Sequence, residues 1–106
     1  MDKIKLFVDD LRRCPDGWQP ARTITEAIRI LAMVPVEEVI LDHDIQIRQE
    51  ITIGNSIVPF EFSSQETFEP VAYYLAMLNK LGRGIKISFH TSNPLGESNM
   101  RRILGL

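Results

Sequence analysis

The stretch Glu38-Val39-Ile40-Leu41-Asp42-His43-Asp44 places three apolar residues directly before two carboxylates and an imidazole. A short apolar run of this kind predicts a buried strand of a parallel sheet. Two other stretches have the same form, because Lys5-Leu6-Phe7-Val8 precedes Asp9-Asp10 and residues 85–89 precede His90-Thr91-Ser92-Asn93. Ligands of open α/β sheets bind at the carboxyl ends of the strands. The sequence therefore predicts about three parallel strands that bring polar groups to one edge.

Length and composition indicate a small cytoplasmic domain. The 106 residues are enough for one domain with a real core, which we expect to span residues 1–106. A net charge of −2 argues against binding to a long nucleic acid or an anionic membrane, but is compatible with a small substrate. Cys14 has no second cysteine to pair with, and no apolar run reaches about 20 residues. We expect no signal peptide, because no long apolar run follows residues 1–5.

Three stretches with helical spacing of apolar residues alternate with the strands. They are predicted to end near Met33, at Gly82 and near Leu104. Each begins at a residue that can cap a helix; these are Thr23, with Glu26 three positions later, then Ser63 or Ser64, and Asn93, which Pro94 follows.

Residues 45–62 predict a β-hairpin inserted between the second strand and the second helix. Isoleucines alternate with polar residues up to Gly54-Asn55, a dipeptide suited to a tight turn, and Pro59 restricts its strand to an edge. Because the hairpin follows directly on Asp44, we expect that it can cover the site or contact a protein partner. The order of elements predicts a small three-layer α/β sandwich with right-handed crossovers.

Four carboxylates follow the first two strands: Asp9, Asp10, Asp42 and Asp44. Carboxylates gathered at one edge repel each other, and Mg²⁺ or another divalent cation can supply the missing positive charge. We assign Asp9, Asp10 and Asp44 to the cation and Asp42 to catalysis. The alternative is that Asp10 or Asp44 caps a turn or faces solvent.

The chain has two histidines, and both lie at predicted strand ends. His43 and His90, facing one site, can act as general base and general acid around a phosphate ester. The alternative for each is a buried histidine that bridges backbone groups.

Cationic and helix-capping residues offer phosphate contacts. Arg12 and Arg13 can bind phosphate through their guanidinium groups, and Thr91 and Asn93 lie where a helix N-terminus can bind an anion. Two other interpretations remain open: Arg12 neutralises the aspartates, and Asn93 is an ordinary N-cap.

Three motifs resemble a known family, the cyclic-phosphate-processing receiver-like domains. They are Val8-Asp9-Asp10-Leu11-Arg12 with Pro15-Asp16-Gly17-Trp18, then Leu41-Asp42-His43-Asp44, and His90-Thr91-Ser92-Asn93-Pro94 with Asn99-Met100-Arg101. The resemblance covers roughly residues 3–44 and 85–104, and it implies a reduced receiver-like or flavodoxin-like fold and an activity on cyclic phosphates of nucleotides or RNA ends. By position it implies a site made of Asp9, Asp10, Arg12, Asp42, His43, Asp44, His90, Thr91 and Asn93.

The chain departs from this family in two places. The family usually has a short loop and a Thr-Gly-Tyr-Asp-like helix start where this chain has the 45–62 insertion followed by Gln65-Glu66-Thr67-Phe68. Arg13 replaces a proline that is frequent in the family, and so adds a phosphate contact.

Three functions are compatible with these residues. The first is a phosphoesterase that opens or hydrolyses a cyclic phosphate with His43 and His90. The second is a signalling receiver phosphorylated on Asp42, with Mg²⁺ held by Asp9 and Asp10. Against it stand the three predicted strands, where receivers have five, and the lack of a lysine at a strand end. The third is a non-catalytic module that binds a protein through its hairpin.

Overall fold

The structure is a computed structural model, and it describes the backbone of residues 2–106 and the side chains of residues 2–45, 54–55 and 66–106. This backbone forms six strands and three helices. In chain order they are β1 (Ile4–Val8), β2 (Gln19–Ala21), α1 (Ile24–Met33), β3 (Val36–Leu41), β4 (Asp44–Ile53), β5 (Ser56–Thr67), α2 (Glu69–Lys80), β6 (Lys86–Phe89) and α3 (Pro94–Leu104).

The main sheet has four parallel strands in the order β2-β1-β3-β6. Its register aligns the strand ends, since Val8 pairs with Leu41 and Leu41 pairs with Phe89. The backbone hydrogen bonds continue one residue further: Asp42 N donates to Val8 O at 2.9 Å, and His90 N donates to Leu41 O at 3.1 Å. The three polar segments therefore leave the sheet side by side, and the predicted receiver-like or flavodoxin-like α/β fold is confirmed.

A fourth strand, β2, corrects the expected count of three. It lies at the sheet edge beside β1, with Pro20 opposite Phe7 and the buried Ala21 opposite Val8. An edge position suits Pro20, which has no N–H to donate to a neighbour. Three residues with a central proline carry too little periodicity to predict a strand.

The layering also differs from the expected three layers. Strand residues of one face share a single buried cluster with all three helices. Its members include Leu6, Val8, Val39 and Leu41 from the strands and Ala27, Leu31, Val71, Leu75 and Met100 from the helices. On the other face Phe7 is buried outside that cluster, and Lys5 and Lys86 are exposed. The reason is topological. The β1–β2 connection contains no helix, and the crossovers through α1 and α2 run in the same direction across the sheet, which puts both helices on one face.

The helix boundaries are confirmed at both ends of α1 and α3 and at the end of α2, which stops before Gly82, but not at the start of α2. Thr23 caps α1 by accepting a hydrogen bond from Glu26 N at 3.0 Å, and Asn93 caps α3 through Gly96 N at 2.9 Å. The capping expected from Ser63 or Ser64 is wrong. Both serines lie in β5, and α2 begins at Glu69 after Phe68, which makes no side-chain cap. Antiparallel pairing of β5 with β4 extends to Thr67 and delays the helix.

The inserted hairpin is confirmed, with wider bounds than residues 45–62. β4 and β5 pair antiparallel from Asp44 opposite Thr67 to Ile53 opposite Ser56, and Gly54 turns the chain at a φ of 61°. The edge role of Pro59 is confirmed, because within the described backbone β5 pairs with β4 alone. The side chains of 46–53 and 56–65 lie outside the described residues. Cover over the site and protein binding through the hairpin therefore stay predictions.

Candidate functional site

A cavity of about 120 Å³ opens at the carboxyl edge of the main sheet. Its described lining consists of Asp9, Asp10, Leu11, Arg12, Asp42, Asp44 and Ser92. These residues follow β1, β3 and β6, the three strands whose ends the register aligns. The predicted edge therefore carries a pocket, and all four predicted aspartates line it.

Arg12 ties the three strand ends together. Asp9, which is 1% exposed, accepts hydrogen bonds at Oδ1 from the backbone N–H groups of Leu11 and Arg12, and its Oδ2 lies 3.2 Å from Arg12 Nη1. The same Nη1 donates to the backbone oxygen of His90 at 2.7 Å and lies 3.6 Å from Asp42 Oδ1. This geometry matches the interpretation that Arg12 neutralises the aspartates. A phosphate contact from Arg12 stays a prediction.

Asp9, Asp10 and Asp42 form the carboxylate group with the spacing of a cation site. Each offers one oxygen, and the three oxygens lie within 4.8 Å of one another. Burial raises the pKa of Asp42, with a further contribution from the charge of Asp9, and these effects outweigh the hydrogen bond from His43 N and the charge of Arg12. One guanidinium thus leaves the carboxylates short of positive charge. Hard oxygen ligands with a charge deficit fit Mg²⁺ or a similar divalent cation.

Asp44, expected in this group, makes different contacts. Its Oδ1 lies 2.8 Å from His43 Nδ1, and Asn93 Nδ2 donates to Oδ1 at 3.2 Å and to Oδ2 at 3.4 Å. Asp42 continues the hydrogen-bonding of β3, whereas Asp44 already begins β4. Asp44 is accordingly not a member of the group formed by Asp9, Asp10 and Asp42.

His43 is enclosed between two carboxylates. Its Nδ1 contacts Asp44, its Nε2 lies 2.7 Å from Glu69 Oε2, and its side chain is 7% exposed. Burial alone would lower the pKa of His43, but the hydrogen bonds and charges of Glu69 and Asp44 outweigh it and raise the pKa. Both ring nitrogens thus lie within hydrogen-bond distance of a carboxylate oxygen, and these two contacts favour the protonated form of the ring.

The remaining predicted residues are spread around the rim. Thr91 Oγ1 accepts a hydrogen bond from Asn93 N at 3.1 Å, so both act in the turn that begins α3. His90 is exposed, and of the residues described neither His90 nor His43 lines the cavity. Arg13 is exposed and lies beside Cys14 on a separate surface. The roles predicted for both histidines and Arg13 stay predictions.

Two contributing residues were missed from the sequence. Glu69 contacts His43 from the first turn of α2, and Arg22 Nη1 donates to the backbone oxygens of Asp9, at 3.0 Å, and of Arg12. Glu69 lies 26 residues from His43, and no local spacing connects them. In the sequence, an acidic residue in the first turn of a helix indicates only a favourable interaction with the helix dipole.

Comparison with known proteins agrees with the three motifs. A family model described as the cyclic-phosphate processing receiver domain matches residues 4–105. No curated protein and no solved structure gives a significant match. Within the described part of the chain, no helix is long and apolar enough to cross a membrane. Because the family model covers nearly the whole chain, this protein belongs to the family of cyclic-phosphate processing receiver domains.

Proposed function

We propose that this domain is a phosphoesterase that opens a cyclic phosphate of a nucleotide or an RNA end with the help of a divalent cation. The observation that carries the proposal is the group of Asp9, Asp10 and Asp42 at the cavity, in a chain of this family. The catalytic role expected for Asp42 becomes cation binding in this proposal.

The charge of the cavity explains why a cation is needed. Four carboxylates and one guanidinium line it, a formal excess of three negative charges. At an effective dielectric constant of about 20, each uncompensated charge repels a phosphate anion about 5 Å away by roughly 3 kcal/mol. A phosphate therefore enters only after this excess is reduced. A divalent cation, when bound, would lower the excess from three charges to one and would polarise the phosphoryl oxygen.

His90 is the residue that we assign to proton transfer. Its side chain is exposed, and its backbone is fixed at the site edge by Leu41 O and Arg12. The imidazole takes a proton from water as the water oxygen bonds to phosphorus. One ester P–O bond of the ring breaks, and the released sugar oxygen takes a proton from solvent at this open edge. His43 is not assigned to this role, since both of its nitrogens are occupied.

The experiment is a turnover screen of 2′,3′-cyclic nucleotides, 3′,5′-cyclic nucleotides and RNA ends, each with Mg²⁺ or EDTA. We expect product only with the cation, a large loss in D10N and H90Q, and no change in D2N, which alters an exposed aspartate away from the cavity. Folded wild-type protein that turns over none of these substrates would overturn the proposal.

A second candidate is a receiver that accepts a phosphoryl group on Asp42. It is favoured by the same grouping, because Asp9 and Asp10 would hold the cation beside the acceptor. No lysine is among the described residues that line the cavity, and the ion pair that the structure gives Asp42 is with Arg12, at 3.6 Å. A mass increase with acetyl phosphate that D42N abolishes would favour this candidate over the phosphoesterase.

A further inference from the structure

We propose that Glu69 is a positioning residue of the site: it acts through the buried ring of His43 and so holds Asp44 at the cavity. The inference deepens the proposed function and rests on it for the chemistry of the site. It goes beyond the three motifs of the family resemblance, since Glu69 lies in none of them.

The first support is the fixed orientation of the His43 ring. Contacts of 2.8 Å at Nδ1 and 2.7 Å at Nε2 hold the ring at two opposite atoms. Each is a charge-assisted hydrogen bond to a carboxylate, which is shorter and stronger than a neutral one. Removal of the Glu69 carboxylate leaves the ring held from one side only.

The second support is the position of Asp44. Its side chain is 47% exposed and lines the cavity, and the partners that the structure gives it are His43 and Asn93. Half-exposed aspartates sample several rotamers unless their oxygens are held. The contact with the His43 ring selects one of these rotamers, and Glu69 keeps the ring in place.

The third support is close packing from the side of α3. A Cβ atom added at Gly96 would lie 2.4 Å from His43 Cγ, so the backbone of α3 lies directly against the ring. The ring is thus enclosed by α2, through Glu69, and by α3, while Asp44 begins β4. Glu69 therefore fixes the ring, and through the ring it fixes Asp44, although Glu69 itself does not line the cavity.

The test compares E69A, E69Q and the control E97Q. Glu97 also forms an ion pair on a helix, with Arg101 Nε at 3.1 Å, whereas the described partners of the His43 ring are Asp44 and Glu69. Loss of a residue that orients a group of a metal site from behind costs about 10- to 100-fold in metal affinity or activity, and Asp44 carries one of the four carboxylates that line the cavity. We expect E69A to weaken Mn²⁺ binding and lower kcat/KM by about 10-fold or more through kcat. E69Q should keep part of both, because its amide oxygen still accepts a hydrogen bond.

A readout independent of turnover separates this inference from the proposed function. The ¹⁵N shifts of the His43 ring should change at Nε2 in E69Q and E69A and stay as in wild type in E97Q. If wild-type protein shows no turnover, the phosphoesterase proposal fails, and the ring shifts and Mn²⁺ affinity still decide the role of Glu69. Unchanged shifts and unchanged Mn²⁺ affinity in folded E69Q would overturn the inference.

Discussion

Replacement of Gly96 by alanine tests the close approach of α3 to His43. Gly96 is the third residue of α3, and alanine is favoured over glycine in a helix by about 0.8–1 kcal/mol. A reading from helix propensity alone therefore expects G96A to stabilise the protein. The structure predicts the opposite sign.

The magnitude follows from the space beside Gly96. Its added Cβ would lie 2.4 Å from both Cγ and Nδ1 of His43 and 2.8 Å from Cδ2, whereas ordinary contacts begin at 3.4 Å. The ring or the helix must move by about 1 Å, and overpacking of this kind costs about 1–3 kcal/mol. If the ring moves, its contacts with Asp44 and Glu69 also lengthen. After subtraction of the helix gain, overpacking alone lowers the free energy of unfolding by up to about 2 kcal/mol, and the lengthened contacts of His43 add to this loss.

Urea unfolding of G96A in two backgrounds provides the assay. In the H43A background the ring is absent, so the alanine should be neutral or stabilising, with a coupling energy of about 1–3 kcal/mol between the two sites. S98A, at an exposed position of the same helix, is the control and should change stability by less than about 0.5 kcal/mol. A stabilising G96A, or the same loss in both backgrounds, refutes the reasoning.

Three further predictions concern the charged groups. Burial and the nearby Asp9 raise the pKa of Asp42, so that ionisation of this carboxyl opposes folding at a pH above the folded-state pKa. We therefore expect D42N to be more stable than wild type in urea unfolding at pH 7. A less stable D42N would contradict this prediction. The pKa of His43 is raised, because its carboxylate partners outweigh the effect of burial. The contribution of this ionisation to the free energy of unfolding is therefore complete below pH 6.5, the ordinary pKa of histidine, and it is lost as the pH rises through the folded-state pKa. Unfolding measured at several pH values should show this alkaline loss in wild type but not in H43Q. R12A removes charge-assisted hydrogen bonds at the site and should lower the free energy of unfolding by about 2 kcal/mol, a loss that Mg²⁺ partly restores. The control R29A, at an exposed position of α1, should lower it little.

Local patterns were sufficient for most of the fold. The apolar runs that precede polar residues predicted β1, β3 and β6, and the caps at Thr23 and Asn93 predicted where α1 and α3 begin. These signals depend on residues a few positions apart, so the chain carries them without reference to its distant parts. The location of the site at the strand ends follows equally, because parallel strands that align in register end together.

Contacts between distant residues decided the arrangement inside the site. Asp42 joins Asp9 and Asp10 because β3 and β1 pair with Leu41 opposite Val8, and Asp44 leaves that group because it pairs with Thr67 instead. The same applies to β2, whose three residues form a strand only beside β1.

His43 shows most clearly which features follow from the local sequence and which depend on contacts between distant residues. The sequence determined that an imidazole stands between two carboxylates at the end of a strand, since that is a matter of chain order. Only the tertiary structure decided that it faces Glu69 and Gly96, which belong to helices 26 and 53 residues further along the chain. Because Glu69 and Gly96 contact the ring from α2 and α3, the role that we propose for His43 depends on the packing of these two helices.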